Sequence, residues 1–457
     1  MKPKNHTKLL QRLYEEYQAK SPQSAALHQQ ASKYMIDGGS HTLRLTEPFP
    51  PKIVQAQGAW LKDADGHRIL DFWQGHYTNL LGHNPEVVTQ KLAEVFSQRW
   101  GLQSGFTDEY QIAASEIICR QTGSERIRFT TSGGNATTAA INMAKAYTGR
   151  PYVMKVAGGW HGANPMAMKA VALEKGFQEL ESLKPPTDNT IITGFNNSEL
   201  MEAQFERYGE QIACFILEPV IGAGGMMPSR KDFLQKARQL TEKFGSVLIF
   251  DEVISCFRFR AGDVGALYNI KPDLITLGKV IGGGMPVAAV AGKEKIMRLC
   301  GKNGPVKFSG GTYAAHPASM VASCTFLNHL VEHQDQLYPR LEEGSRTLRK
   351  LVKKTFQHVG IDVRFAGDQR EELPGNSLHM LLFPYQKELP LDTPEEVLNP
   401  EVCDIVLSEQ VFHLAMLLEN VKTVHGLGAT VLAHGENELL FLESACQKVA
   451  ERFKKEL

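Results

Sequence analysis

Apolar positions along the chain change their period twice, and the changes mark its organisation. Residues from about Leu9 to Met35 read as one helix that ends near Asp37-Gly38-Gly39. The proline-rich run Glu47-Pro48-Phe49-Pro50-Pro51 then predicts an extended connector. Strand-like runs on either side of Asp65-Gly66, from Ala59 to Phe72, predict a β-hairpin with type I′ turn chemistry. From about residue 100 to 320, short apolar runs alternate with helical stretches. The short apolar runs include Ile127 to Thr131, Cys214 to Leu217, Val247 to Phe250 and Leu274 to Leu277. Ala136 to Tyr147 and Lys231 to Phe244 read as helices between them. Strands buried on both faces and separated by helices predict an α/β fold with a largely parallel sheet. The last third mixes helices with short strands, carries a Pro/Glu-rich loop near Leu389 to Pro400, and ends in an amphipathic helix from Glu436 to Lys455. The chain is thus expected to divide into 1–75, the first segment of a small domain, 76–330, a large α/β domain, and 331–457, the α+β remainder of the small domain.

Composition narrows the function classes. A chain of 457 residues, 42% hydrophobic and 22% charged, can bury a large core without covalent staples. Fifty basic residues balance fifty acidic ones, which removes the long-range attraction that a nucleic-acid or anionic-membrane binder needs. No run approaches the ~18 consecutive apolar residues of a membrane span. Where a signal peptide would be apolar, Gln11, Arg12, Glu15 and Glu16 follow the charged N-terminus, so a soluble, cytoplasmic protein is expected. The seven cysteines are scattered singly and none forms Cys-x-x-Cys, which supports neither a disulfide framework nor a structural zinc site.

The candidate chemistry lies at the strand ends. In open α/β sheets, ligands bind outside the carboxyl ends of the strands. Here the run Val247 to Phe250 stops at Asp251-Glu252, Cys214 to Leu217 stops at Glu218-Pro219, and Leu274 to Leu277 stops at Gly278-Lys279. Two acids and a lysine at the tips of buried strands cost desolvation unless a ligand or mutual pairing compensates. Glycines cluster beside them, at Gly133-Gly134, Gly158-Gly159, Gly222-Ala223-Gly224-Gly225, Gly282-Gly283-Gly284 and Gly310-Gly311. Thr130-Thr131-Ser132-Gly133-Gly134-Asn135 leads from a strand into a helix, whose first amides form a natural phosphate site. The chain has no Gly-x-x-x-x-Gly-Lys-Ser/Thr loop, so nucleotide binding of that kind is not expected.

Taken in order, these motifs resemble a family. Asp251-Glu252-Val253, Pro272 to Lys279 and Gly282-Gly283-Gly284-Met285-Pro286 resemble the class III pyridoxal-phosphate-dependent aminotransferases. Glu218-Pro219-Val220, Gly310-Gly311-Thr312 and Trp160-His161-Gly162 (usually Tyr-His-Gly in that family) extend the match, which runs from about Gly38 to Ala322. The resemblance is to the branch of glutamate-1-semialdehyde aminomutases and β-amino-acid aminotransferases.

The resemblance implies a fold-type I enzyme with pyridoxal 5′-phosphate as cofactor. Lys279 would carry the cofactor as an imine and later move a proton, while Asp251 would pair with the pyridine nitrogen. A lysine that does both must be neutral part of the time, which a desolvated pocket favours. Trp160, followed by His161, would stack on one face of the ring and Val253 would pack on the other. Ser132, Gly133 and Gly134 would hold the phosphate, and Thr312 would reach the neighbouring subunit's cofactor, which implies a homodimer with shared active sites. Glu218 matches the family's acid near the cofactor oxygen. Arg44 falls near an arginine that these relatives use for the substrate carboxylate, and His76 stands at a position usually aromatic near the substrate.

The expected reaction is amino transfer from an amino-acid or amine donor, β-amino acids included, to a 2-oxo acid. Both partners are small molecules. The alternatives are an intramolecular aminomutase and a non-catalytic cofactor-binding protein. Ser132-Gly133-Gly134-Asn135 replaces the Ser-Gly-Thr-Glu of many aminomutases, and Ala223 stands where the aminomutase version has asparagine, so the transaminase reading is preferred. Retention of Lys279 and Asp251 argues against a non-catalytic role. Two further motifs are set aside. His329-Leu330-Val331-Glu332-His333 fits His-x-x-Glu-His but reads as an ordinary helix, and no metal is expected. Gly426-Leu427-Gly428 begins a dinucleotide fingerprint that fails at Val431.

Overall fold

A computed structural model describes residues 5–171, 189–308, 310–368, 373 and 375–456. Its central sheet has seven strands among the described residues. They run across the sheet as Arg126–Thr130, Ala288–Gly292, Leu274–Leu277, Val247–Asp251, Ile212–Leu217, Tyr152–Val156 and Thr190–Thr193. Ala288–Gly292 is antiparallel to both its neighbours, and the pairings from Leu274–Leu277 to Thr190–Thr193 are parallel. Strands 212–217, 247–251 and 274–277 are buried at every position, as near-continuous apolar runs require. Helices Gly133–Thr148 and Lys231–Phe244 cover the sheet, each ending on a left-handed glycine, Gly149 and Gly245. The chain is an α/β protein of the expected fold-type I architecture, with the site on the carboxyl side of the sheet.

The two ends of the chain meet. Strand Arg68–Asp71 of the N-terminal hairpin pairs in parallel with Val421–Lys422. Leu9, Leu13 and Tyr17 of helix Thr7–Lys20 share one core with Phe356, Phe383, Phe412 and Phe453. Each such buried side chain contributes about 1.5–3 kcal/mol. Helix Glu436–Glu456 supplies Phe453, and Gln334–His358 supplies Phe356. Within Pro317–Glu332, His329 belongs to an ordinary helix that His333 caps.

Three local expectations are corrected. The single N-terminal helix is two, Thr7–Lys20 and Pro22–Ser32, because Pro22 has no amide to continue the first and suits the opening position of the second. The hairpin turn is longer than a two-residue type I′ turn: the amide of Asp63 donates to the carbonyl of His67 across Ala64-Asp65-Gly66, and of these three only Gly66 has positive φ. Asp65 has another task, accepting from the amides of Gln23 (2.6 Å) and Ser24 (2.9 Å) and so capping the second helix from outside it. The Pro/Glu-rich segment is not all loop, since Pro394–Val397 is a helical turn.

Candidate active site

A cavity of about 780 Å³ opens at the carboxyl ends of the central strands. Of the residues singled out from the sequence, Arg44, His76, Ser132, Gly133, Gly134, Trp160, His161, Glu218, Asp251, Val253 and Lys279 all line it. Thr312 does not. It is exposed, and its carbonyl accepts from Gln103 Nε2.

Asp251 ends its strand opposite Thr276, and that register allows Thr276 Oγ1 to donate to Asp251 Oδ1 at 2.8 Å. His161 Nδ1 donates to Asp251 Oδ2 at 2.7 Å. Burial pulls the His161 pKa down, opposed by the hydrogen bond to Asp251 and by its charge. The carboxylate is therefore fixed on both oxygens and aimed at the cavity. His161 Nε2 is buried and has no partner among the described residues. Glu218, at the end of the neighbouring strand, accepts from the amides of Trp160 and Gly222, each at 2.9 Å. Burial, and then the adjacent Asp251 charge, raise its pKa.

Lys279 follows strand Leu274–Leu277 and has φ +44, in the left-handed region that is rare for a side chain of this size. Among the described residues its ammonium makes no hydrogen bond or ion pair. Burial lowers its pKa to about 8, against the opposing influence of Glu218 and Asp251. The neutral amine is the nucleophile, so in the cofactor-free protein the rate of attack on an added aldehyde should rise with pH around a midpoint near 8. An ordinary lysine would give a midpoint near 10.4. Stopped-flow absorbance across that pH range measures it.

The phosphate end of the cavity is a helix start. Ser132 caps helix Gly133–Thr148, its Oγ accepting from the Asn135 amide at 3.3 Å, while the first-turn amides of Gly133 and Gly134 have no helical acceptor. Val253 sits between two glycines. A Cβ at Gly133 would come within 2.9 Å of its Cγ1, and one at Gly278 within 3.1 Å. The loop after strand Tyr152–Val156 presses against the same turn, where a Cβ at Gly162 would lie 2.4 Å from Gly134 Cα. Trp160, on that loop, lines the cavity while 45% exposed, an apolar surface that a flat ring would cover. A free amine, a fixed carboxylate, unpaired helix amides and an uncovered indole together fit pyridoxal phosphate. The cofactor, when bound, supplies the electron sink that makes the substrate carbon acidic.

On the substrate side, residues Gln74, Gly75, His76 and Tyr77 all have positive φ. Buried Arg258 holds this turn, its Nη2 donating to the Tyr77 carbonyl, while its Nη1 has no partner among the described residues. His76 packs 4.9 Å from the Trp73 ring and 5.6 Å from the His41 ring, measured between centroids. Burial first, then Lys279, His425, His41 and Arg44, lower its pKa to about 3, so it is neutral at physiological pH. Arg44 is exposed at the mouth, at the end of a short 3₁₀ turn. Sequence reasoning missed His41, Arg258 and Thr276. Thr276 could have been found from its place in a strand adjacent to Asp251.

Fold and site together define a class-III aminotransferase: the family's profile, "Aminotransferase class-III", matches residues 44–368, and the chain belongs to that family. It is an enzyme of this pyridoxal-phosphate-dependent class. The chain is 34% identical over 352 residues to the glutamate-1-semialdehyde 2,1-aminomutase of Methanobrevibacter smithii, an alignment that covers 75% of this chain and 81% of that one. Among solved structures it is similar to a β-phenylalanine aminotransferase from Variovorax paradoxus, with TM-score 0.83, 25% identity and 99% of each chain covered. A glutamate-1-semialdehyde aminomutase from Pseudomonas aeruginosa shares the fold, with TM-score 0.81 at 19% identity over 97% of this chain and 98% of that one. No described helix is long and apolar enough to cross a membrane.

Proposed function

We propose that this enzyme is a transaminase, moving an amino group from an amino acid or amine, β-amino acids included, to a 2-oxo acid. The observation that carries the reading is the meeting of Lys279, Asp251 and the Gly133–Thr148 helix start at one cavity. Lys279 binds the cofactor and, as a neutral amine, takes the proton from the substrate carbon and returns one on the other side of the transfer. Asp251, steadied by His161 and Thr276, keeps a positive charge on the pyridine nitrogen. Trp160 and Val253 would hold the ring from its two faces, and the amides at Ser132, Gly133 and Gly134 would hold the phosphate. Glu218 would stand near the ring oxygen of the bound cofactor. Arg44 meets the substrate carboxylate at the mouth, near neutral His76.

We further propose that the division at about residues 75 and 330 separates a small and a large domain, and that two copies pair. Exposure of Thr312 outside its own cavity supports its service to a partner's site. So does the exposure of Leu102, Phe106 and Tyr313 at 78%, 82% and 62%.

A second reading, intramolecular aminomutase, is favoured by the 34% identity to an aminomutase over three quarters of the chain. The solved β-phenylalanine aminotransferase, at 25% over nearly the whole chain against 19% for the solved aminomutase, supports transfer between molecules. Enzyme mixed with one amino donor and no acceptor separates the two. A transaminase forms one equivalent of oxo product and stops until pyruvate or 2-oxoglutarate is added. Sustained turnover of glutamate-1-semialdehyde with no acceptor would establish the aminomutase instead. Arg44→Ala should raise KM for acidic donors by about tenfold or more and leave carboxylate-free amines nearly unchanged, because a charged partner is lost only for the former.

A further inference from the structure

Strand Tyr152–Val156 carries one charged residue, Lys155, and its side chain is fully buried. The ammonium donates to three backbone carbonyls, those of Gly159 at 2.8 Å, Ala167 at 3.1 Å and Lys169 at 2.7 Å. All three of its donors are used, and no carboxylate lies within ion-pair distance among the described residues. With no carboxylate paired to it directly, the buried charge is held by the dipoles that converge on it, and Glu218 adds a longer-range attraction. The dipoles come from both ends of a single loop, the one that leaves the strand and carries Trp160 and His161.

Other hydrogen bonds fasten the loop too, one of them also joining its two ends. The Gly158 amide donates to the Ala170 carbonyl at 2.8 Å, the Trp160 amide to Glu218, and Thr137 Oγ1 to the His161 carbonyl at 2.6 Å. Lys155 gathers the start and the end of the loop on one atom.

We propose that Lys155 is a positioning residue of the cofactor site, an internal cation around which residues 157–169 are wound so that Trp160 and His161 stand in place before the cofactor arrives. The inference rests on the reading of Trp160 and His161 as cofactor neighbours. It concerns the free protein as well as the loaded one.

Hydrogen exchange on the full-length, cofactor-free protein tests it. In Lys155→Met the amides of residues 158–168 should exchange at least about tenfold faster, while helix Lys231–Phe244 keeps its wild-type rates. Affinity for pyridoxal phosphate, read by fluorescence titration, should weaken by about 10- to 100-fold, as when the support of a direct ligand is removed. In Lys155→Ala, n-propylammonium replaces the deleted atoms and should restore slow exchange, whereas tetramethylammonium, which has no N–H donor, should not. Unchanged loop exchange in Lys155→Met would overturn the proposal. So would a rise spread evenly over the sheet, failure of both variants to fold with the amine present, or no restoration by n-propylammonium. Failure of the wild-type protein to bind pyridoxal phosphate would strike the functional reading instead and leave the exchange result standing.

Discussion

Lys279→Ala is expected to lower turnover by about 10⁴-fold while the folded protein still takes up the cofactor. The upper range for loss of a positioned acid–base group applies because no other lysine among the described residues lines the cavity. Lys155 is the nearest candidate by sequence character, but its ammonium is committed to three carbonyls and fully buried. Helix amides, Trp160 and Asp251 remain in the variant, so binding should persist without the covalent link. Added methylamine should recover part of the rate. A variant that keeps more than about a hundredth of the wild-type rate would remove Lys279 from the chemistry.

Asp251→Asn should retain cofactor and lose about two to three decades in both half-reactions, the range typical when a fixed charge that stabilises the transition state is removed. Asparagine matches the carboxylate in shape, and its carbonyl oxygen can still accept from Thr276 or His161. What it lacks is the charge. Its amide group also meets a donor, either Thr276 Oγ1 or His161 Nδ1, where the carboxylate accepted from both. The loss should therefore be accompanied by a change in the bound cofactor's absorption that a packing defect would not produce. Near-wild-type rates in both half-reactions would leave Asp251 a structural role only.

The parts of this site legible in the sequence are those that local pattern controls. Lys279, Asp251 and Glu218 each follow a four- or five-residue apolar run, and a charge in that position stands out before any fold is known. The phosphate turn is legible for the same reason, a strand leading directly through glycines into a helix. Lys155 carries a related signal, a lysine inside the apolar run Tyr152 to Val156, but its partners cannot be read there. They are backbone carbonyls, which every residue possesses, and only the closed loop brings Gly159, Ala167 and Lys169 to one point. Arg258 is hidden likewise, since its acceptor is the carbonyl of Tyr77, far away in the chain. Asp65 shows the opposite error. Asp-Gly is a strong turn signal, and a turn is present, yet the aspartate also caps a helix some forty residues earlier, and a capping partner outside the helix leaves no local trace. Helix Pro22–Ser32 was separable in principle at Pro22, where the polar face continues smoothly and only the missing amide marks the break.

The central claim is that the buried amine after strand Leu274–Leu277 holds the cofactor. Borohydride reduction of the loaded enzyme, followed by digestion and peptide mass mapping, tests it most directly. The account predicts a phosphopyridoxyl mass on the peptide containing Lys279 and on no other. The same mass on a different lysine, or none after reconstitution with pyridoxal phosphate, would contradict it.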